Sequence, residues 1–384
     1  ESITTNRPEK IRQHFQVETS VSNGKKPNPN ILLIVADDLG WADVGYHGSP
    51  IPTPNIDHLC KTGIELDRHY VAPMCTPTRV GLLTGRYWSR FGNTAPSNLR
   101  VLPWGTPTLA SLLKSAGYRT GISGKWHLGS KPAWGPKQFG FDQTYGSLAG
   151  GVNPWTHLYK TGAYSKSWHR NDQLIDEEGH ATDLITREAV EFIGNKDESS
   201  PFFMYVPFTA VHTPFDEPKP YLARCEHISD QRRQYAASCV HLDESIGKII
   251  DALEKTDQRD NTVIIFLSDN GGTNGDDSKA YPDTQRTTLI QGLNKPLRGW
   301  KKQLWEGGIR VPALINWPGR LAPGRVEEAI HVTDWLPTLA SMIGHKTDPA
   351  NPIDGVDLWP LFTGQRAPVA WDTRTLYSLV VQAK

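Results

Sequence analysis

The apolar positions of this chain fall into short continuous runs separated by longer amphipathic stretches. The clearest run is ILLIVA at residues 31–36, and similar runs lie at 119–123, 202–206 and 263–267. A continuous apolar run of this length is typical of a strand that is buried on both faces of a parallel sheet. The pattern therefore predicts four central strands.

Amphipathic stretches between these runs predict helices, because their apolar positions recur at helical spacing and glycine or capping residues mark several of their ends. The predicted helices span residues 53–63, 108–117, 183–192, 231–253 and 333–342. A further strand at 311–316 continues the alternation. Strands that alternate with helices predict an α/β sandwich around a mostly parallel sheet.

The first 28 residues predict a separate polar arm. They have few apolar positions and run into KKPNP at residues 25–29, which is typical of a linker. The chain begins at Glu1 without methionine and without the apolar segment of a signal peptide, so we expect a processed or trimmed chain.

Charge and composition argue against two classes of partner. Lys+Arg and Asp+Glu number 41 each, so no bulk field attracts nucleic acid or an anionic membrane. No apolar run reaches the length of a membrane span. Among the four cysteines, Cys225 and Cys239 could pair, although free thiols on a helical stretch are favoured. Nothing in the sequence indicates an oligomeric state.

Polar side chains follow each of the four predicted strands directly. They are Asp37 and Asp38, then Lys125 and His127, then His212, and finally Asp269 and Asn270. In open α/β sheets the ligand site lies beyond the carboxyl ends of the strands, so these four segments are expected to meet in one crevice.

The carboxylate and amide side chains of this set offer only oxygen, which favours a hard divalent cation such as Ca²⁺ or Mg²⁺ over zinc. The alternative is that Asp37 and Asp38 cap the next segment and that Asp269 and Asn270 form a turn. Adjacent carboxylates at the end of an apolar strand are costly without a cation, which favours the metal site.

A cysteine-containing segment identifies a family resemblance. Residues 75–86 read CTPTRVGLLTGR, which resembles the signature that marks a cysteine for conversion to formylglycine in type I sulfatases; a buried structural cysteine is the alternative. Thr78 stands where serine is usual. Thr76 followed by Pro77 predicts a helix start, which would place Cys75 at a helix N-terminus, where an anion is favoured.

Two further segments extend the resemblance over most of residues 30–345. Residues 117–129, GYRTGISGKWHLG, resemble the second sulfatase signature, and residues 297–308, LRGWKKQLWEGG, resemble the segment with the active-site lysine. We assign that lysine to Lys301, with Lys302 as the alternative. The likeness is closest to the arylsulfatase B (N-acetylgalactosamine 4-sulfatase) branch and to bacterial sulfatases of sulfated galactans.

The resemblance implies an alkaline-phosphatase-like α/β sandwich over residues 29–345 and a periplasmic or secreted location. Residues 346–384 would begin a small antiparallel C-terminal subdomain, with a first strand near 371–379, and we expect this subdomain to be either abbreviated or only partly present in the sequence. The family also implies one Ca²⁺ per chain, bound by Asp37, Asp38, Asp269, Asn270 and the modified Cys75.

The remaining roles are implied by the same resemblance. Arg79 and Lys125 would steady the hydrated formylglycine, His127 would assist its collapse, and His212 with Lys301 would bind sulfate and assist the leaving oxygen. A formylglycine aldehyde hydrates to a diol, so one hydroxyl can attack sulfur and the other can later expel sulfate. A formylglycine-generating maturation enzyme is thus an expected partner.

The expected activity is hydrolysis of sulfate from a sulfated oligosaccharide or polysaccharide of the galactose or N-acetylgalactosamine type, such as a glycosaminoglycan or carrageenan. Alternatives are a phosphodiester or phosphonate monoester hydrolase of the same superfamily, and an inactive glycan binder with unmodified Cys75. The candidate sugar-binding residues are Asn153, Trp155, His157 and Trp168. The two tryptophans could equally belong to a hydrophobic core.

Overall fold

The computed structural model describes residues 28–195, 197, 199–275, 278–282, 292–365 and 374–378. The predicted polar arm therefore lies outside the described residues, except for its last residue. Of the strand expected near residues 371–379, only 374–378 are described, and they form no strand. No described helix is both long and apolar enough to cross a membrane.

The four apolar runs all form strands, and shorter strands extend the sheet on both sides. The strands are β1 Asn30–Ala36, β2 Ile64–Leu66, β3 His69–Tyr70, β4 Arg119–Ser123, β5 Gln143–Ser147, β6 Trp168–Arg170, β7 Gln173–Leu174, β8 Phe202–Pro207, β9 Thr262–Ser268, β10 Ala313–Asn316, β11 Gly324–Val326 and β12 Ile330–His331.

The amphipathic stretches form helices close to the predicted bounds. The helices are α1 Pro54–Lys61, α2 Cys75–Thr84, α3 Leu109–Ser115, α4 Ala181–Gly194, α5 Lys219–Ala223, α6 Asp230–Lys255, α7 Glu306–Ile309, α8 Trp335–Met342 and α9 Trp359–Phe362. The helix predicted to begin at Thr108 has a capping box at its N-terminus. Thr108 Oγ1 accepts from Ser111 N, and Ser111 Oγ accepts from Thr108 N.

Within the described residues the main sheet has ten strands in the order β11-β2-β10-β9-β1-β8-β4-β5-β6-β7. Its centre, β9-β1-β8-β4-β5, is parallel throughout. The outer strands β6, β7 and β10 pair antiparallel with their neighbours. The strand predicted at 311–316 exists from Ala313, but it runs antiparallel to β9 instead of continuing the parallel pattern.

Strand β1 divides the two hydrophobic cores. Leu32 and Ile34 face one core with α1, α4 and α6, and Ile31 and Leu33 face the other with α2, α3 and α8. Every residue of β1 is buried. The mostly parallel sandwich is thus confirmed, and its physical cause is the continuous apolar run that has to be covered on both faces.

Residues beyond 345 pack onto the same body. Leu358 and Phe362 of the α9 segment lie in the core on the α2 face. Asp354 accepts from Tyr87 N over 2.7 Å and pairs with Arg90. The described part of the expected C-terminal subdomain is therefore anchored to the α/β sandwich by both apolar and ionic contacts.

Candidate active site

The carboxyl ends of β1, β4, β8 and β9 lie side by side, as the sequence predicted, and bring the polar residues into contact. Asp37 and Asp38 follow β1, Lys125 follows β4, and Asp269 follows β9. Backbone hydrogen bonds join these ends, for example from Asp269 N to Ala36 O over 3.0 Å. Asp38 and His127 adopt left-handed φ values of 65° and 56°, conformations that concentrate at functional sites.

Asp37 pairs with Lys125 in a fully buried contact. Lys125 Nζ lies 2.5 Å from Asp37 Oδ2, and both side chains have no exposed area. Burial raises the pKa of Asp37 to about 6, although Lys125 opposes that shift. The other carboxylate oxygen, Oδ1, is buried without a hydrogen-bond partner among the described residues. That oxygen is therefore available to a cation.

Asp38 is held by a lysine and faces a histidine. Lys301 Nζ lies 2.6 Å from its Oδ1, and His212 Nε2 lies 3.7 Å from its Oδ2. Burial would raise the pKa of Asp38, but Lys301, His212 and Lys125 together lower it to about 2. Lys301 is nearly buried while Lys302 is exposed. The geometry therefore favours Lys301 over Lys302 as the lysine that faces the carboxylates.

Asp269 holds the guanidinium of Arg79. Nε and Nη2 of Arg79 donate to Asp269 Oδ2 over 3.1 and 2.8 Å, and Nη1 donates to the carbonyl of Lys125 over 2.7 Å. Both charged side chains are completely buried. Such a pair fixes Arg79 rigidly, and removing either partner would leave an uncompensated charge in the interior.

Cys75 is the first residue of α2, so the helix begins two residues earlier than predicted from Thr76 as the cap and Pro77 as the first helical residue. Met74 is the N-cap and makes no side-chain capping bond. The Thr76 hydroxyl instead accepts from Ser97 N over 3.3 Å. The placement of Cys75 at a helix N-terminus holds, but its cause is the backbone turn and not a threonine cap. Burial raises the pKa of the Cys75 thiol.

The residues at the strand ends fit a hard divalent cation. Asp37 Oδ1 and Asn270 Oδ1 are both buried oxygens without a hydrogen-bond partner in the described part of the chain. Asn270 Nδ2 donates to Asp38 Oδ1 over 2.7 Å, so the amide of Asn270 lies against that carboxylate. Asp38 N donates to Asp269 Oδ1 over 3.3 Å. Carboxylate and amide oxygens at this density are the donor set that Ca²⁺ prefers.

A cavity of about 240 Å³ opens onto these residues. Cys75, His127, His212 and Lys301 lie in its wall together with Asp38. The structure thus brings the candidate nucleophile, both histidines and the ammonium group of Lys301 to one surface. Arg79, Lys125 and Asp269 lie behind that surface, fully buried.

The ring of His127 is buried and closely packed. Burial lowers its pKa well below the ordinary value, and Lys125 and Arg79 add to that effect. Its Nδ1 has no hydrogen-bond partner among the described residues. A Cβ atom at Gly150 would lie 2.5 Å from His127 Cε1 and Nε2. Glycine at 150 is therefore what leaves room for the neutral imidazole.

The residues expected to bind sugar lie elsewhere. Trp155, His157 and Trp168 line a second cavity of about 220 Å³. The Trp168 ring is buried and stacks on His157 at 4.5 Å, while Trp155 remains 43% exposed. Asn153 is buried, and its Oδ1 accepts from Trp155 N over 2.9 Å. Their role in sugar binding stays a prediction.

Sequence reasoning did not single out several residues that shape the site. Ser268 Oγ accepts from Leu39 N over 3.0 Å and donates to Asn270 O over 2.9 Å, which ties the ends of β1 and β9 together. Its place directly before Asp269 was the only available signal. Two further residues line the cavity wall, and no motif marked them: Lys160 and Tyr281.

Asn294 fixes the loop that carries Lys301. Its Oδ1 accepts from Gly272 N over 2.8 Å, and its Nδ2 donates to Gly299 O over 3.1 Å. Lys301 N in turn donates to Gly272 O over 3.1 Å. A single asparagine between two loops gives no sequence pattern, so only the tertiary contacts reveal it.

The chain is similar to known proteins over most of its length. Mouse arylsulfatase J is 37% identical over 354 residues, covering 88% of this chain and 57% of that protein. Human N-acetylgalactosamine-6-sulfatase is 33% identical over 362 residues, covering 88% and 66%. The chain thus spans between 57% and 66% of the length of these two relatives.

Solved structures share the fold. The crystal structure of Ps i-CgsB in complex with k-i-k-neocarrahexaose matches with a TM-score of 0.79 at 36% identity, over 88% of this chain and 77% of that one. The expected alkaline-phosphatase-like sandwich is confirmed. The sequence model of the family described as Sulfatase matches residues 29–345. A match of this extent, on this fold and with relatives of this similarity, shows that the chain belongs to the sulfatase family.

Proposed function

We propose that the protein hydrolyses sulfate esters of a sulfated carbohydrate, with Cys75 converted to formylglycine and with one bound Ca²⁺. The observation that carries the proposal is the cavity in which Cys75, His127, His212 and Lys301 meet above the carboxylates. A sulfate ester carries negative charge, and this wall supplies cationic and proton-donating groups at one place.

The Ca²⁺ would be held by Asp37, Asp38, Asp269, Asn270 and the modified Cys75. The two buried oxygens without partners, on Asp37 and Asn270, support this ligand set. The ion would supply fixed positive charge for the sulfate oxygens. Lys125 and Arg79 keep the carboxylates oriented, because each is locked to one of them in the interior.

Cys75 would act after conversion to formylglycine, whose hydrated form provides the nucleophilic hydroxyl. As the first residue of α2, Cys75 sits where unpaired backbone N–H groups favour an anion. Lys125 Nζ is directed at Asp37 next to this position and is fully buried. Beside Cys75 the chain therefore offers a rigid, buried ion pair, which would hold the site in place while sulfate binds in the cavity.

His212 would deliver a proton to the leaving oxygen of the sugar. Its Nδ1 lies 2.6 Å from the carbonyl of Thr213, which holds the proton on Nδ1 and leaves Nε2 toward the cavity. Nε2 lies 3.7 Å from Asp38 Oδ2. Proton delivery to an alkoxide leaving group contributes roughly 10²–10⁴-fold. Lys301, beside it, would bind a sulfate oxygen.

The proposed substrate is a sulfated galactose or N-acetylgalactosamine unit of a larger glycan. The names of the similar proteins support this class, since one is an N-acetylgalactosamine sulfatase and one is bound to a neocarrahexaose. Tyr159 and Tyr281 meet edge to face at 5.9 Å on the cavity wall and can contact a pyranose. Such a substrate also implies a location outside the cytoplasm.

Paired substrates test this proposal. Purified protein, produced together with a formylglycine-generating enzyme, should hydrolyse an aryl sulfate far faster than the matching aryl phosphate diester. Faster cleavage of the phosphate ester would instead support the phosphodiesterase alternative. Mass analysis of the peptide that contains Cys75 should show the aldehyde, and the peptide should react with a hydrazide. An unmodified thiol in protein that is inactive on all of these esters would favour a glycan binder.

A further inference from the structure

A second polar cluster lies between α4, α6 and the segment that follows His212, on the face of the sheet opposite α2. It consists of His180, Asp183, Glu217 and His241, which we call the helix-interface cluster. His180 caps the N-terminus of α4 and Asp183 lies in its first turn. His241 lies on α6, and its ring centroid is 4.7 Å from that of His180. None of the proposed catalytic steps uses these residues.

Two atoms of this cluster have the spacing of metal ligands, and a third lies close by. His241 Nε2 lies 3.2 Å from Asp183 Oδ1. Zinc bonds of about 2.0–2.1 Å in a tetrahedral site place neighbouring ligand atoms about 3.3 Å apart. The ligand atoms of His180, Asp183 and His241 all lie within 4.8 Å of one another. Only His180 has to approach for the three to share one ion.

Glu217 orients His241 as a metal ligand. Its Oε2 lies 2.8 Å from His241 Nδ1 and therefore accepts that N–H, which leaves Nε2 directed at Asp183. The ring of Tyr221 stacks on His241 at 4.0 Å and 15° and fixes its plane. A carboxylate behind a metal-bound histidine is a common arrangement, because it fixes the tautomer and raises ligand basicity.

The Nε2 atoms of His180 and His241 are buried and point into the cluster: that of His180 has no hydrogen-bond partner among the described residues, and that of His241 faces Asp183 Oδ1 at 3.2 Å. Both side chains are at least nine-tenths buried. His180 Nδ1 accepts from Thr182 N over a long 3.3 Å. Coordination through Nε2 would move the proton to Nδ1 and release this contact, leaving one N–H of the first turn of α4 unpaired.

An ion can reach the cluster from solvent. The Asp183 side chain is 47% exposed. It forms the end of a groove between α4 and α6 that Thr186, Lys248 and Asp251 also line. Lys248 Nζ is 3.8 Å from Asp183 but 3.1 Å from Glu244. Glu244 can therefore retain this lysine when a cation occupies Asp183.

We propose that the helix-interface cluster is a zinc site, with His180 Nε2, His241 Nε2 and Asp183 Oδ1 as ligands and Glu217 as the partner of His241. Two imidazole nitrogens with one carboxylate favour zinc over calcium. The site joins α4 to α6 and, through Glu217, to the segment that carries His212. Its role is to stabilise that side of the molecule and not to take part in sulfate chemistry.

Metal titration of the tag-free protein tests the proposal. After chelation and reloading with excess Ca²⁺ to occupy the strand ends, the protein should bind one equivalent of Co²⁺ with the visible absorption of a four- or five-coordinate N/O site. Zn²⁺ should displace that spectrum and raise the melting temperature. Asp183→Asn, whose side chain is half exposed and whose loss the fold should tolerate, should weaken Co²⁺ binding at least about tenfold.

His241→Gln and His180→Gln should abolish the spectrum, whereas His58→Gln, at an exposed position of α1, should bind like the wild type. Turnover of an aryl sulfate by Ca²⁺-loaded Asp183→Asn should stay close to that of the wild type. Absence of Co²⁺ binding in the Ca²⁺-loaded wild type would overturn the proposal and favour an imidazolium of His241 between Glu217 and Asp183. Equal Co²⁺ binding by the wild type and Asp183→Asn would overturn it as well.

Discussion

The strand-end cluster and the helix-interface cluster solve the problem of buried charge in different ways. At the strand ends, Asp37 is paired with the buried Lys125, and Asp269 with the buried Arg79. The atoms left there to bind a metal are oxygens. In the helix-interface cluster, the carboxylates Asp183 and Glu217 are matched instead by imidazoles. The strand-end cluster therefore suits a hard cation, and the helix-interface cluster suits a metal ion that binds nitrogen.

The supporting elements differ as well. The strand-end residues are held by the backbone of a parallel sheet, with Asp269 N donating to Ala36 O and Asp38 N to Asp269 Oδ1. The helix-interface residues depend on the packing of α4 against α6 and on a loop residue, Glu217. Rigid scaffolding at the strand ends fits reaction chemistry, whereas a link between helices fits stabilisation. Mutations in the two clusters should therefore affect different properties.

The largest effect is expected from the nucleophile. Cys75→Ala should lower aryl sulfate turnover by more than about 10³-fold, because no hydrated aldehyde can form. Steady-state rates and the mass of the peptide that contains residue 75 check this. Since Cys75 is buried and makes no ion pair with any described residue, the melting temperature should change little. A fully active Cys75→Ala protein would disprove covalent catalysis.

The second-largest effect on activity is expected from Asp269→Asn, which changes the strand-end cluster and leaves the helix-interface cluster intact. Loss of the carboxylate removes a proposed Ca²⁺ ligand and leaves Arg79 without its partner, so turnover should fall about 10³-fold or more. Stability should fall by about 3–5 kcal/mol, since a buried charge loses compensation. Calcium content and urea unfolding measure the two effects. Asp260→Asn, an exposed carboxylate near β9, is the control and should retain both calcium and activity.

Gly150→Ala tests whether His127 needs its present position. The added methyl would lie 2.5 Å from two atoms of the imidazole and would push it from its place. We expect kcat to fall roughly 10–100-fold with little change in calcium content, since small displacements of catalytic groups can cost this much. An unchanged kcat would show that His127 has no positional role in turnover.

Trp155→Ala tests whether the Trp155 ring binds the sugar of the substrate, and Trp168→Ala is the comparison variant. If the exposed Trp155 ring contacts sugar, kcat/KM should fall about tenfold for a sulfated oligosaccharide and far less for an aryl sulfate. Trp168, which is buried against His157, should affect both substrates equally through stability. Equal losses on both substrates for Trp155→Ala would point to packing, consistent with its ring contact to His180 at 5.1 Å.

Glu217→Gln should have the smallest effect on activity and should identify the helix-interface cluster as a stabilising one. The amide can still accept from His241 Nδ1, but the charge that balances the imidazole is lost. We expect stability to fall by about 1–3 kcal/mol while kcat changes only severalfold. Urea unfolding with and without Zn²⁺ measures this change. A loss of kcat as large as that of Asp269→Asn would contradict the division between the clusters.

Much of the fold was readable in the sequence because burial on two faces leaves a direct mark. The run at residues 31–36 is apolar throughout, and β1 separates the two cores. The direction of β10 was not readable, since its short apolar run is compatible with either orientation and only its neighbours β9 and β2 fix it. The start of α2 was misplaced because Met74 provides the N-cap position without a capping side chain.

The sequence by itself determined that the polar residues after the central strands meet at one site, because strands of a parallel sheet end at one edge. Its resemblance to the sulfatase motifs added Cys75, Arg79 and Lys301 as candidates. Tertiary structure decided how they are paired: Lys301 with Asp38, Arg79 with Asp269 and Lys125 with Asp37. It also decided that His180 and His241 lie together, although they are far apart in the chain. Such pairings depend on side-chain directions and helix packing, which leave no local pattern in the sequence.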